Sequence, residues 1–202
     1  QGPAIALSAP GVGLQAAAGT EGWEYFSGTS AAVPCVAGVL ANFLSANPDI
    51  AAPDAAQLLL ATSDDTGQAG VDDSTGHGVV NARRLDNWRT PGIYDAAAAG
   101  HSLLQNSSQD GIIRLQVSAQ NTGTESLPEL LLHTAVGAAV SSESFAAVPP
   151  GGVVSVTLSI PADSVRAAGN MVISSRVETP GVEDARRSNQ LKQSNLSLGG
   201  GE

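Results

Sequence analysis

Residues 26–38 read Phe26-Ser27-Gly28-Thr29-Ser30-Ala31-Ala32-Val33-Pro34-Cys35-Val36-Ala37-Gly38, and the apolar run continues to Leu44. Apolar side chains on nearly every face of this run predict a buried helix that begins near Ser30. The first N–H groups of a helix lack intrahelical partners and carry the positive end of its dipole, so they favour an anion. A serine at this place can be an ordinary N-cap, or the nucleophile of an acyl transfer whose oxyanion those groups stabilise.

This stretch resembles the nucleophile motif of the subtilisin-like serine peptidases, or subtilases, which reads Gly-Thr-Ser-Met-Ala-x-Pro-His-Val-Ala-Gly. The chain has Gly28-Thr29-Ser30, with Ala31 in place of the Met and Cys35 in place of the His. Upstream, Ala9-Pro10-Gly11 resembles the end of a strand in this family. Downstream, the family's closing elements are resembled in order by Asn47-Pro48-Asp49, a helical stretch over 53–62 and Gly76-His77-Gly78. The resemblance implies that residues 1–90 are the C-terminal part of an α/β domain with a doubly wound, mostly parallel sheet.

The resemblance also implies a serine endopeptidase in which Ser30 is the nucleophile and its backbone N–H is an oxyanion donor. In this family the catalytic residues follow the chain order Asp, His, Ser, yet residues 1–29 contain no Asp, His or Asn. We therefore expect a companion N-terminal chain to supply the catalytic Asp, the catalytic His and the oxyanion Asn, and this chain alone to be inactive. None of His77, His101 and His133 stands where the family has its base.

Outside the nucleophile motif, the local patterns predict simpler elements. Residues 3–12 predict a short buried strand, and the glycine-rich residues 13–29 predict a loop. The carboxylates Asp64, Asp65, Asp72 and Asp73 invite a calcium site, but their spacing fits no metal-binding loop, and we interpret residues 64–75 as a solvated acidic loop. No cofactor or metal is expected, although structural calcium stays open.

A second unit is indicated where the apolar period changes to two. Ile113, Leu115, Val117 and Ala119 alternate with Arg114, Gln116, Ser118 and Gln120, which predicts a strand with one face in water. Further strands are predicted over 130–136, 154–160, 172–177 and 195–198. Short alternating strands between turn signals favour an all-β, immunoglobulin-like sandwich over 112–198, and the pattern resembles the CARDB-type modules of secreted enzymes. We place a linker at 91–111 and a tail at 199–202.

Charge and composition narrow the partners. The formal net charge is −10 and the only lysine is Lys192, so nucleic acid and anionic membrane surfaces are poor partners. We expect no membrane span, a peptide or protein substrate and, from the family, a secreted protein. An alternative is a noncatalytic remnant or fragment whose sandwich is a binding or adhesion module.

Overall fold

The structure is a computed structural model that describes residues 2–20, 22–104 and 111–198, so the predicted tail at 199–202 lies outside the described residues. The first part of the chain contains a hairpin and three helices. They are β1 (Leu14–Ala18), β2 (Gly22–Phe26), α1 (Thr29–Ala46), α2 (Ala52–Ala61) and α3 (Ala82–Asp86). The predicted helices at the nucleophile motif and at 53–62 are confirmed.

The predicted burial of α1 is wrong within the described residues. Only Ala31 and Phe43 of this helix are buried, and Val33 is 67% exposed. One side of α1 packs with α2 and α3 around Phe43, Leu59 and Leu85. The apolar composition of α1 indicates that the helix packs against other protein surface, but it does not identify that surface. By length and hydropathy alone α1 could also cross a membrane, a test that the core helix of a soluble protein passes as well.

The expected doubly wound parallel sheet is absent from residues 2–20 and 22–104. The predicted strand over 3–12 is reduced to an isolated parallel bridge between Ser8 and Val79, and Val79 also pairs with Asp64. The predicted loop over 13–29 is instead largely the antiparallel hairpin of β1 and β2. Its second strand, Gly22-Trp23-Glu24-Tyr25-Phe26, is rich in the aromatic residues that strands favour.

The second part of the chain is a β-sandwich of two antiparallel sheets. Its elements are β3 (Ala96–Leu103), β4 (Ile112–Asn121), β5 (Leu127–Val136), β6 (Ala139–Val148), β7 (Val153–Pro161), α4 (Ala162–Ala168), β8 (Met171–Glu178), a 3-10 turn (Arg187–Asn189) and β9 (Leu191–Leu196). The strand order is β3-β4-β7 in one sheet and β6-β5-β8-β9 in the other. The continuous apolar core between them includes Leu115, Leu132 and Val177.

Strand β3 lies inside the segment 91–111 that the sequence assigned to a linker, so that assignment is wrong for residues 96–103. The strand reads Ala-Ala-Ala-Ala-Gly-His-Ser-Leu, and its small side chains give no alternating pattern. Pairing with β4 holds it in the sheet, from Ala96 opposite Asn121 to Leu103 opposite Leu115. Here tertiary pairing overrides a weak intrinsic propensity.

Candidate active site

Two glycines bring the turn before α1 against the segment that precedes the hairpin. Gly28 is the N-cap of α1, with φ of 150°, a value that side chains other than glycine rarely allow. Its N–H donates to the Gly11 carbonyl oxygen at 2.8 Å, and a Cβ on Gly11 would lie 2.9 Å from the Gly28 oxygen. The Gly13 N–H donates to Ser27 Oγ at 2.9 Å. The turn is therefore tied to both sides of Val12.

Ser30 is the second residue of α1 and is exposed. The Ala31 N–H donates to the Gly28 carbonyl oxygen at 2.9 Å, whereas the Ser30 N–H lies in the first turn, where helix donors have no intrahelical acceptor. Within residues 2–20, 22–104 and 111–198, no group forms a hydrogen bond with the Ser30 hydroxyl. A hydroxyl and an N–H in this arrangement can both reach an external carbonyl group.

An open cavity of about 360 Å³ adjoins Ser30 on the hairpin side. Its lining is mostly apolar: Leu14, Gln15, Ala16, Phe26, Ala31, Pro34 and Cys35. Proline inside the helix has no N–H to offer the Ser30 carbonyl one turn earlier. The Cys35 thiol donates to the Ala31 carbonyl oxygen at 3.6 Å. The nucleophile candidate therefore lies at the edge of an apolar pocket.

The side chains of two of the three histidines contact serines of the sandwich. His101 lies in β3 with its ring nitrogens 2.9 Å from Ser194 Oγ and 2.8 Å from Ser175 Oγ. Burial, with Lys192 adding to it, lowers the pKa of His101 to about 4. His133 Nδ1 lies 2.7 Å from Ser142 Oγ.

His77 pairs through its backbone N–H with the Ala6 carbonyl oxygen at 2.9 Å and is exposed. Among the described residues, no histidine is hydrogen-bonded to Ser30.

Residues 64–76, which we call the acidic loop, are not the solvated loop that the sequence predicted. Asp72 organises its tip, since its carboxylate accepts hydrogen bonds from the N–H groups of Gln68, Ser74 and Thr75 and from Thr75 Oγ1. Burial alone would raise the pKa of Asp72, but these bonds outweigh it and lower the pKa. At the start of the loop, Asp64 pairs with Arg84 at 3.1 Å. In the part of the chain that the structure describes, no group of three or more acidic, His or Cys side chains is placed to hold a metal.

Asp65, the second residue of this loop, is buried, with 5% of its surface exposed. Its Oδ1 accepts from the Gly70 N–H at 2.8 Å, and the Ser118 side chain of β4 lies beside the carboxyl group. Burial raises the pKa of Asp65 to about 6, and the nearby Asp72 adds to the rise. Sequence reasoning did not predict the burial of Asp65, because an acidic run in a loop is ordinarily solvated.

Comparison with known proteins finds a similarity in the first part of the chain. Residues 1–78 match the model of the subtilase family. The resemblance seen in the sequence is thereby confirmed for this part, which we call the subtilase segment. No curated protein matches the chain.

Solved structures with similarity include CARDB domains, as the sequence pattern indicated. One is the crystal structure of the CARDB domain of a Pyrococcus furiosus protein in complex with di-metal ions, 15% identical, covering 43% of this chain and 76% of that chain with a TM-score of 0.37. A solution structure of the same domain is 16% identical, covers 43% and 78% and has a TM-score of 0.35. A β-glucosidase involved in saponin metabolism from intestinal bacteria is 14% identical, covers 71% and 21% and has a TM-score of 0.30.

Proposed function

We propose that this chain is the C-terminal portion of a subtilisin-type serine endopeptidase with Ser30 as its nucleophile. The carrying observation is that the subtilase segment presents an exposed serine hydroxyl at the start of an apolar helix. In this role Ser30 Oγ attacks the scissile carbonyl carbon of a peptide while a base removes its proton. The Ser30 N–H then donates to the oxyanion.

We further propose that an N-terminal companion supplies the catalytic Asp and His and the oxyanion Asn, and that the protein is secreted. Two observations support the companion. No histidine among the described residues is bonded to Ser30, and α1 exposes apolar side chains such as Val33. Exposed apolar surface on a helix this long marks an interaction site. The chain alone is therefore inactive.

Active-site labelling tests the proposal. A fluorophosphonate probe is expected to label Ser30 in the complete enzyme, and Ser30→Ala is expected to abolish labelling. Ser45→Ala is the matched control, because Ser45 is exposed on the same helix. Failure to label the complete enzyme under conditions that label another subtilase would contradict the proposal.

A second candidate is a noncatalytic protein whose sandwich binds a partner. It is favoured by the same lack of a histidine bonded to Ser30 in the described part of the chain. Denaturing intact-mass analysis of the native sample separates the two candidates. A one-to-one companion carrying Asp, His and Asn in that order supports the peptidase, whereas the chain alone, with unchanged binding in Ser30→Ala, supports the binding protein.

A further inference from the structure

The outward face of β4 is covered by the acidic loop. Its side chains Gln116, Ser118 and Gln120 alternate with core residues, and the sequence predicted them to lie in water. Instead, Ser118 is 1% exposed and Gln120 is 4% exposed. The Ala69 N–H donates to Gln116 Oε1 at 2.8 Å, and the Asp65 N–H donates to Gln120 Oε1 at 3.0 Å. Side chains of the sandwich therefore hold the backbone of the loop.

The contact between the two parts is close and polar. Gln120 Nε2 donates to the Ser63 carbonyl oxygen at 3.1 Å, so the same amide group binds the chain on both sides of Asp64. A Cβ on Gly100 of β3 would lie 2.7 Å from the Gly67 oxygen. Separating these surfaces would break these hydrogen bonds and expose their backbone groups to water.

The end of the acidic loop and the two residues after it bind the segment that precedes the nucleophile turn. The His77 N–H donates to the Ala6 carbonyl oxygen at 2.9 Å, and the Ser8 N–H donates to the Gly78 oxygen at 2.8 Å. Ser8 Oγ also donates to the Thr75 carbonyl oxygen at 3.2 Å. The loop thus contacts the sandwich on one side and the segment around Ser8 on the other.

The segment around Ser8 leads directly to Ser30. Gly11 follows Ser8 by three positions, and its carbonyl oxygen accepts from the Gly28 N–H at 2.8 Å. Gly28 is the N-cap of α1. Hydrogen bonds joined by short stretches of backbone therefore connect β4 to the helix start that presents Ser30, and such contiguous networks can carry energetic coupling.

We propose that the β-sandwich holds the nucleophile turn in place through the acidic loop, with Gln116 and Gln120 as positioning residues for Ser30. The inference rests on the proposed function as far as it concerns catalysis. In this arrangement the sandwich is a fixed part of the peptidase. Each glutamine acts on Ser30 through the backbone of the loop and not through contact with a substrate.

The test compares Gln116→Met with Gln116→Glu in the complete protein. Met keeps the length of the side chain and removes the acceptor for the Ala69 N–H, whereas Glu keeps that acceptor. We expect hydrogen exchange at the Ser8 and Gly28 amides to rise about tenfold in Gln116→Met and to return towards wild type in Gln116→Glu. Exchange at core amides such as Leu132 is expected to stay unchanged.

Fluorophosphonate labelling of Ser30 supplies a second readout. Gln116→Met and Gln120→Met are expected to slow labelling about tenfold. The shift of the global unfolding midpoint is expected to be too small to account for this slower labelling. Gln193→Met is the matched control, because Gln193 is exposed on β9. Should the buried Gln120 variant fail to fold, the half-buried Gln116 pair decides.

The two proposals fail in different ways. If the wild-type enzyme is not labelled at all, the proposed function fails, and exchange at Gly28 still shows whether the sandwich holds the turn. If the Ala69 amide exchanges faster in Gln116→Met while Ser8 and Gly28 exchange as in wild type, the loop is not coupled to the turn. That result would overturn the inference.

Discussion

Asp65 is a carboxyl group buried between the acidic loop and β4, and its protonation affects stability. Its pKa is raised from the ordinary 3.8 to about 6, mainly by burial, with the hydrogen bond from the Gly70 N–H opposing the rise and Asp72 adding to it. Between these values the folded state retains a proton that the unfolded chain has lost. The stabilisation is therefore fully present below about pH 4 and is lost as the pH rises through about 6.

Asp65→Asn isolates this effect. Asn keeps an acceptor for the Gly70 N–H and has no charge to bury, so its stability relative to wild type should increase between about pH 4 and pH 7 and then stay constant. The total change is expected to be about 3 kcal/mol, measured by urea unfolding across this range. Asp73→Asn, at an exposed position of the same loop, is the matched control. A pH-independent difference for Asp65→Asn would contradict the assignment.

At the residue scale, sequence reasoning could single out Ser30 as a candidate nucleophile, a role that stays a prediction, but it could not find the contacts of Gln116 and Gln120. The serine lies in a motif of small residues whose spacing is specific, and the family match confirms that context. The glutamines stand on the polar positions of an alternating strand, which predicts water contact. Alternation identifies the face that avoids the core, but it cannot distinguish a solvated face from a polar contact with another part of the chain.

Among the elements, the acidic loop depends most on one side chain. Asp72 accepts four hydrogen bonds from within the loop, at 2.6 to 3.1 Å. Asp72→Ala is expected to destabilise the protein by about 2–4 kcal/mol, because charge-assisted bonds to backbone N–H groups are the stronger kind. Urea unfolding at neutral pH measures the change.

Asp73→Ala provides the comparison for Asp72→Ala, since its position is adjacent and exposed. It should stay within about 0.5 kcal/mol of wild type, as surface substitutions usually do. The Ala69 amide should also exchange faster in Asp72→Ala, because the loop tip that presents it to Gln116 is loosened. Equal stabilities of the two variants would show that the loop does not need Asp72.

Element prediction succeeded where apolar periodicity was strong and failed where it was weak. Strands β4 and β7 carry alternating aliphatic residues and were predicted near their observed bounds. Strand β6 reads Ala-Val-Ser-Ser-Glu-Ser-Phe-Ala-Ala-Val and was not predicted. It lies at the edge of its sheet, where one side of the strand stays accessible and an apolar pattern is not required.

At the scale of the whole molecule, the two parts differ in the core that each contains. The sandwich has a continuous core of buried residues contributed by both sheets. The helices of the first part bury only Phe43, Ala55, Leu59 and Leu85 in their cluster. The small size of this second cluster could not be inferred from composition, and neither could the polar contact between the acidic loop and β4. Apolar content does not reveal which surfaces meet.

The unequal cores predict that residues 1–90 do not fold as an independent unit, whereas residues 91–198 do. Without the sandwich, the Ala69 and Asp65 N–H groups lose Gln116 and Gln120 as acceptors. A small cluster cannot offset the conformational entropy of ordering so many residues.

Expressed separately, residues 91–198 should give a single cooperative urea transition, and residues 1–90 should give none or should associate. A fragment of residues 1–90 that unfolds cooperatively as a soluble monomer would contradict this prediction. It would also show that the acidic loop holds its shape without β4, which the positioning role of Gln116 and Gln120 does not allow.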